Sequence, residues 1–228
     1  MQEGLPREKL DPECATVLKD GKNGTAVVTR YDLDGDSVVL KEWSPSNRFL
    51  LWWAKSNQRR EIANYASLQG FPGIAKLRGC YADDAFLVDF IDGETLNRFL
   101  EPQRLRRGLD SLESAMKALH EVRFVHLDLH QKRNIIIDQS GGAWLVDLGQ
   151  GFDCRRGIIR RIFFPLLAKI DGRALLKFRA KFAPETLDEK IRSRAIRLSK
   201  GPRLHRSLRP VWRGIRRWLA RKEKAGDV

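Results

Sequence analysis

The chain has 228 residues and 42% hydrophobic content, enough to bury a substantial core as one domain or two small lobes. Its formal net charge is +14, but residues 192–228 carry 13 Lys or Arg against Glu223 and Asp227, so the preceding 191 residues hold only about +3. No window is long and apolar enough to span a bilayer, no secretory leader pattern opens the chain, and Cys14, Cys80 and Cys154 are isolated and without metal spacing; these features argue against a membrane-spanning helix, a secreted disulfide scaffold and a cysteine-ligated metal domain, and place the chain in the cytoplasm.

Residues 21–25 read Gly-Lys-Asn-Gly-Thr before the apolar run 26–28. Gly21, Gly24 and Thr25 would let backbone amides approach an anion without interference from Cβ. A plain hairpin turn fits the same pattern. Residues 38–41 (VVLK) read as a strand ending in Lys41, which taken singly is a solvent-facing strand lysine. Residues 48–60 carry Trp52 and Trp53 among Arg48, Lys55, Arg59 and Arg60, either an insertion packed before the next helix or an interfacial patch. Ile62, Tyr65 and Leu68 then recur at helical spacing, with Gly70 as a stop signal. Glu61 starts that helix face and singly reads as a solvated helix residue.

Residues 125–149 (VHLDLHQKRNIIIDQSGGAWLVDLG) are the most informative stretch. Ile135, Ile136 and Ile137, and Trp144, Leu145 and Val146, read as two short buried strands turned by residues 139–142. Such a hairpin brings Asn134 and Asp147 together at one end. Both offer the hard oxygen ligands that Mg²⁺ takes. Asp128 can orient a hydroxyl and accept its proton.

Downstream, Asp171 reads as an N-cap for a helix starting at Arg173. On a helical wheel, Val211, Trp212, Ile215, Trp218 and Leu219 share one arc of about 120°, with Arg213, Arg216, Arg217 and Arg221 opposite. Trp at the edge of an Arg-rich face suits an anionic membrane surface. Packing of the Trp face on the body of the protein is the alternative, and nucleic acid the weaker one, since paired Trp on one face is untypical of a duplex reader.

Taken in order, Gly21–Thr25, Lys41, Glu61, residues 86–93, Asp128, Asn134 and Asp147 resemble the protein-kinase-like superfamily. The resemblance implies an α+β, two-lobed protein-kinase-like fold with a reduced C-lobe. Residues 1–88 would form the N-lobe, 89–191 the hinge and C-lobe, and 192–228 a basic amphipathic helical tail. It implies ATP and Mg²⁺ as cofactors, with Lys41 and Glu61 paired to hold the α- and β-phosphates and Gly21, Gly24 and Thr25 covering them. Asp89 and Ile91 would present backbone groups to the adenine. Asp128 would be the catalytic carboxylate, on a loop braced by a buried Asp171 as the alternative to its N-cap reading, Lys132 would touch the transferred phosphate, and Asn134 and Asp147 would hold the metal.

The departures narrow the family. His126-Leu127-Asp128 lacks the Arg of the usual His-Arg-Asp, which removes docking of an activation-loop phosphate. The interval from Asp128 to Asn134 is one residue longer than usual, and His130 resembles the His of small-molecule kinase loops as an alternative to Lys132. Asp147-Leu148-Gly149 replaces Asp-Phe-Gly. Ala183-Pro184-Glu185 spells a familiar closing motif, but only 43 residues follow it. That shortage points to small bacterial lipopolysaccharide-kinase-type enzymes (core heptose and Kdo kinases) or the RIO-like group. The implied activity is phosphotransfer to a hydroxyl acceptor, a lipid sugar at the inner membrane face. The alternatives are a RIO-like kinase acting on protein Ser/Thr and an ATP-binding pseudokinase scaffold.

Overall fold

Val27, Val28, Thr29 and Tyr31, and again Val38 and Val39, are β-branched or aromatic and favour extended chain. The computed structural model describes residues 5–21, 26–33, 35–43, 48–81, 85–155 and 157–200, without the side chains of 48–55, 159 and 198–200. Here β1 (Ala15–Lys19), β2 (Val27–Leu33) and β3 (Asp36–Glu42) run antiparallel, with Gly35 at φ 79° in the left-handed turn position between β2 and β3. α1 (Arg48–Ser67) follows, then β4 (Leu77–Tyr81) and β5 (Ala85–Asp89). The strands form one antiparallel sheet in the order β1-β2-β3-β5-β4.

Residues 85–88 of β5 are apolar because both faces of the strand are covered there. Phe86 and Val88 pack with Tyr65 and Leu68 of α1, while Ala85 and Leu87 pack with Leu10, Val38 and Leu40 on the other face. The chain then leaves this sheet. β6 (Gly93–Thr95), α2 (Pro102–Glu121), β7 (Phe124–Val125), β8 (Ile135–Asp138), β9 (Ala143–Leu145), β10 (Phe152–Asp153), α3 (Ile158–Phe182) and α4 (Glu189–Lys200) complete the described chain. β6-β8-β9 make a three-stranded sheet and β7-β10 a two-stranded one.

α2 starts where the Glu101 carboxylate accepts from the amides of Gln103 and Arg104 at 2.8 and 2.7 Å, with Pro102 at the first position. It buries Leu105, Leu109, Leu112, Met116 and Leu119 along one face. Gly108 lets it approach β8, since a Cβ there would meet Ile137 Cδ1 at 2.8 Å. One core runs from Val39 and Phe86 of the large sheet through Ile135, Ile137 and Leu145 to Phe178 of α3. Each such side chain contributes roughly 1.5–3 kcal/mol on burial, so the shared core ties the sheet to the helices.

The described residues are thus mixed α+β. α3 runs without interruption through Asp171, so that residue is not a helix N-cap. α4 begins at Glu189, before the expected start of the basic segment at 192. The expected helix at 211–221 lies outside the described residues, as do the side chains of Trp52 and Trp53. No helix among the described residues is long and apolar enough to cross a membrane.

Candidate active site

Lys41 sits on β3 opposite Val28 on one side and Phe86 on the other. Its Nζ lies 2.5 Å from Glu61 Oε1, and the two side chains are only 13% and 4% exposed. The rings of Phe86 and Tyr65 flank the ammonium at 5.7 and 6.0 Å. Burial alone would lower the Lys41 pKa, but the Glu61 carboxylate, with Tyr65 and Asp147 behind it, outweighs burial and holds the amine protonated above its usual range. Burial pushes the Glu61 carboxyl up; Lys41 opposes this and Asp147 reinforces it.

Asp147 follows β9 and takes a left-handed backbone (φ 62°, ψ 64°). That conformation costs a non-glycine residue on the order of 1–2 kcal/mol and turns the chain sharply at this point. A Cβ on Gly149 would sit 3.5 Å from both Asp147 Oδ1 and Glu61 Oε2, so the two carboxylates converge on this glycine. Asn64 of α1 clamps the turn, with Nδ2 donating to the carbonyls of Leu148 (2.7 Å) and Gly151 (3.1 Å). Tyr65 is fully buried against the same turn and its hydroxyl has no well-formed hydrogen bond among the described residues, although the Asp147 amide is close enough to act on it. Burial raises the phenol above its ordinary value.

The loop after β7 is held from α3. The Asp171 carboxylate accepts from the amides of His126 and Leu127, each at 2.8 Å. Leu127 is left-handed at φ 64°. His126 Nδ1 accepts from the Asp128 amide at 3.4 Å while Nε2 faces the Val146 carbonyl at 3.2 Å, which selects the tautomer protonated on Nε2. Asp128 is thereby buried with its carboxylate in a polar cluster. Asn134 Nδ2 and Gln131 Nε2 both donate to Oδ2, the former at 3.0 Å, and His130 Nδ1 lies 3.3 Å from Oδ1.

The expected hairpin joins the two ends of the site. Ile135 pairs with Leu145, Ile136 with Trp144 and Ile137 with Ala143, and the Val146 amide donates to the Asn134 carbonyl at 3.0 Å. Asn134 spends its amide hydrogens on Asp128, leaving Oδ1 without a donor among the described residues. The Asp147 carboxylate likewise makes no hydrogen bond or ion pair among them. No group of three His, Cys, Asp or Glu residues is placed to hold a metal there. Any cation would therefore share Asn134 and Asp147 with oxygens from its ligand or from water.

Other expected residues divide. Lys132 is exposed, with Nζ 5.9 Å from the Phe182 ring and no contact with Asp128. The Asp89 amide is engaged with the Lys76 carbonyl at 3.0 Å, and its carboxylate with the Lys76 amide and Arg78 Nε at 3.2 and 3.0 Å. Its carbonyl is the backbone group it could offer. The Ile91 amide has no hydrogen-bond partner among the described residues. Gly21 is described; Gly24 and Thr25 lie outside the described residues. Sequence reasoning missed Asn64, Gln131 and the polar end of Tyr65. The one signal was a buried-face Asn three residues after Glu61. Neither a scan against protein-family models nor a search of curated proteins finds a match to this chain, so its own geometry must carry the functional reading.

Proposed function

We propose that the chain is an ATP-dependent phosphotransferase with a two-lobed, protein-kinase-like fold, acting on a hydroxyl of a lipid-linked sugar at the inner membrane face. The observation that carries this reading is the buried Lys41–Glu61 pair beside an Asp147 carboxylate that makes no hydrogen bond or ion pair among the described residues. A purely structural ion pair does not need a second carboxylate converging on one ammonium; a site for phosphates and a cation does.

The donor set fits Mg²⁺, which prefers hard oxygens and keeps several waters or phosphate oxygens in its shell. Asp147 and Asn134 Oδ1 would hold it. When bound, Mg²⁺ neutralises charge on the β- and γ-phosphates. Lys41, kept protonated by Glu61, neutralises charge on the α- and β-phosphates. The Ile91 amide and the Asp89 carbonyl would meet the adenine. Asp128 orients the acceptor hydroxyl and takes its proton, with His130 and Gln131 fixing the carboxylate from either side. The backbone bonds from Asp171 fix that loop before substrate arrives, so positioning supplies much of the rate.

A non-peptide acceptor is favoured over protein Ser/Thr by one feature. Only four residues separate β10 from α3, so that connection is too short to lie along an extended peptide. Retention of Lys41, Glu61, Asp128, Asn134 and Asp147 argues against a scaffold, which needs none of them.

The test is ATP turnover with Mg²⁺ and a lipid-sugar acceptor, wild type against Asp147→Asn, with ATP binding measured alongside. Turnover is expected only in the wild type, and Mg²⁺-dependent ATP binding is expected to weaken in the variant. ATP binding indifferent to both Mg²⁺ and Asp147 would sink the reading.

A further inference from the structure

α3 carries an apolar ridge on the wrong side for a core helix. Ile158, Ile162 and Leu166 recur at i, i+4 and i+8 and are 75%, 67% and 56% exposed, with Phe163 beside them. The opposite side of the helix already packs inward through Leu167, Asp171, Ala174 and Phe178. Four large apolar residues in one outward patch mark a contact surface rather than a scatter of exposed side chains.

The charge around the ridge is one-sided. Lys169 and Arg173 continue the same outward face and make no ion pair among the described residues. α3 holds seven Lys or Arg, of which Arg179 is paired with Asp110 and Glu113 of α2, and a single acidic residue, Asp171, which is buried. α4 packs against α3 and exposes Ile191 and Ile196 among Lys190, Arg192, Arg194 and Arg197.

Whatever covers the ridge must therefore supply both apolar depth and negative charge. The chain's own residues 201–228 have apolar residues but carry nine basic against two acidic ones, a net +7. They would set like charge against like. A second copy would present the same ridge with the same cations. A bilayer containing anionic lipid supplies both requirements: acyl chains for the ridge, phosphate headgroups for Lys169 and Arg173. We infer that the outer face of α3 is a docking surface for an anionic membrane. It deepens the lipid-acceptor reading and rests on it only for the nature of the acceptor. The inner face of the same helix braces the loop carrying Asp128 through Asp171, so one helix carries both the ridge and the brace of the catalytic loop.

The experiment is sedimentation of the full chain, without nucleotide, with vesicles of phosphatidylglycerol and phosphatidylcholine and with phosphatidylcholine alone. Wild type is expected to pellet with the anionic vesicles only. I162E/L166E is expected to lose at least ~10-fold in partitioning while keeping its circular dichroism and Tm, since both positions face solvent. K169A/R173A is expected to lose less and to show a weaker salt dependence. As a second measurement, a polarity-sensitive fluorophore on Ile162→Cys, with Cys14 and Cys80 changed to Ser, should shift to the blue on adding anionic vesicles.

Partitioning of I162E/L166E equal to wild type, an unmoved fluorophore, or equal binding to neutral vesicles would each overturn the inference. Wild type retained by polyglutamate but not by vesicles would overturn it in favour of an acidic protein. A dimer lost in I162E/L166E would overturn it in favour of a second copy. Because no nucleotide is present, these outcomes are independent of whether ATP is turned over: vesicle binding without turnover would fail the phosphotransferase reading alone.

Discussion

Asp171 reaches back 44 residues to Leu127: its Oδ1 accepts from the Leu127 amide at 2.8 Å, while Oδ2 takes the His126 amide at 2.8 Å. Leu127 sits at φ 64°, a conformation that a branched side chain adopts only when its surroundings impose it. Asp171→Asn replaces one acceptor oxygen with a donor facing another donor. The expected loss is about 2–3 kcal/mol of stability, the scale for a buried charged hydrogen bond, with turnover falling alongside. Thermal unfolding and activity of the variant check it. A Tm equal to wild type would mean that the loop holds its shape without the brace.

The Lys41–Glu61 pair separates stability from binding. Lys41→Met alone leaves Glu61 buried without its cation and should cost about 3–5 kcal/mol. Adding Glu61→Leu removes that penalty, so the double variant should recover most of the stability but none of the nucleotide affinity. Denaturant melts and ATP titrations of the four proteins make the cycle. A double variant that binds ATP normally would remove Lys41 from the site.

pH should act on the same pair with opposite signs. The Glu61 carboxyl is pushed above its ordinary value of 4.5, mainly by burial. The folded state therefore holds this proton more tightly than the unfolded chain. Its contribution to stability is complete below 4.5 and is lost as pH rises through the folded value. Nucleotide binding needs the carboxylate charged, so it should weaken as pH falls through that same raised value, above the range of an ordinary glutamate. ATP titrations and unfolding from neutral pH downward would show the two trends diverging; an affinity flat down to the ordinary glutamate range would contradict the assignment.

Asp147 and Tyr65 should each show stability given up for function. Asp147→Asn keeps a residue tolerant of the left-handed backbone and removes a charge that crowds Glu61. Its Tm should match or exceed wild type while turnover disappears. Tyr65→Phe deletes a buried hydroxyl without a well-formed hydrogen bond among the described residues and should stabilise the protein by about 1 kcal/mol. A drop in Tm in either variant would show that the group has a structural partner.

The long interval between Asp128 and Asn134 can be resolved by substitution. Asp128→Asn should spare ATP binding and cut turnover by at least ~10²-fold, the scale for losing a positioned base. Lys132→Ala should change little, because Lys132 faces Phe182 and not Asp128. His130→Ala should slow turnover, since His130 flanks the carboxylate at 3.3 Å. Turnover lost in Lys132→Ala but not in His130→Ala would restore Lys132 to the site.

The sequence by itself determined the local elements: the 135–145 hairpin, the strand ending near Lys41 and the helix carrying Glu61. Each rests on side-chain period and turn residues within a few positions, and these interactions form wherever the segment lies. Only the tertiary structure decided which of two readings held for Asp171, because α3 runs on through Pro165 and Gly172, both breakers by pattern, while packing on α2 and β7 holds it helical. The same is true of Asn64 on the 148–151 turn and of His130 and Gln131, rather than Lys132, beside Asp128. Those contacts depend on register between distant segments, which is set by how the shared core closes and leaves no trace in local period.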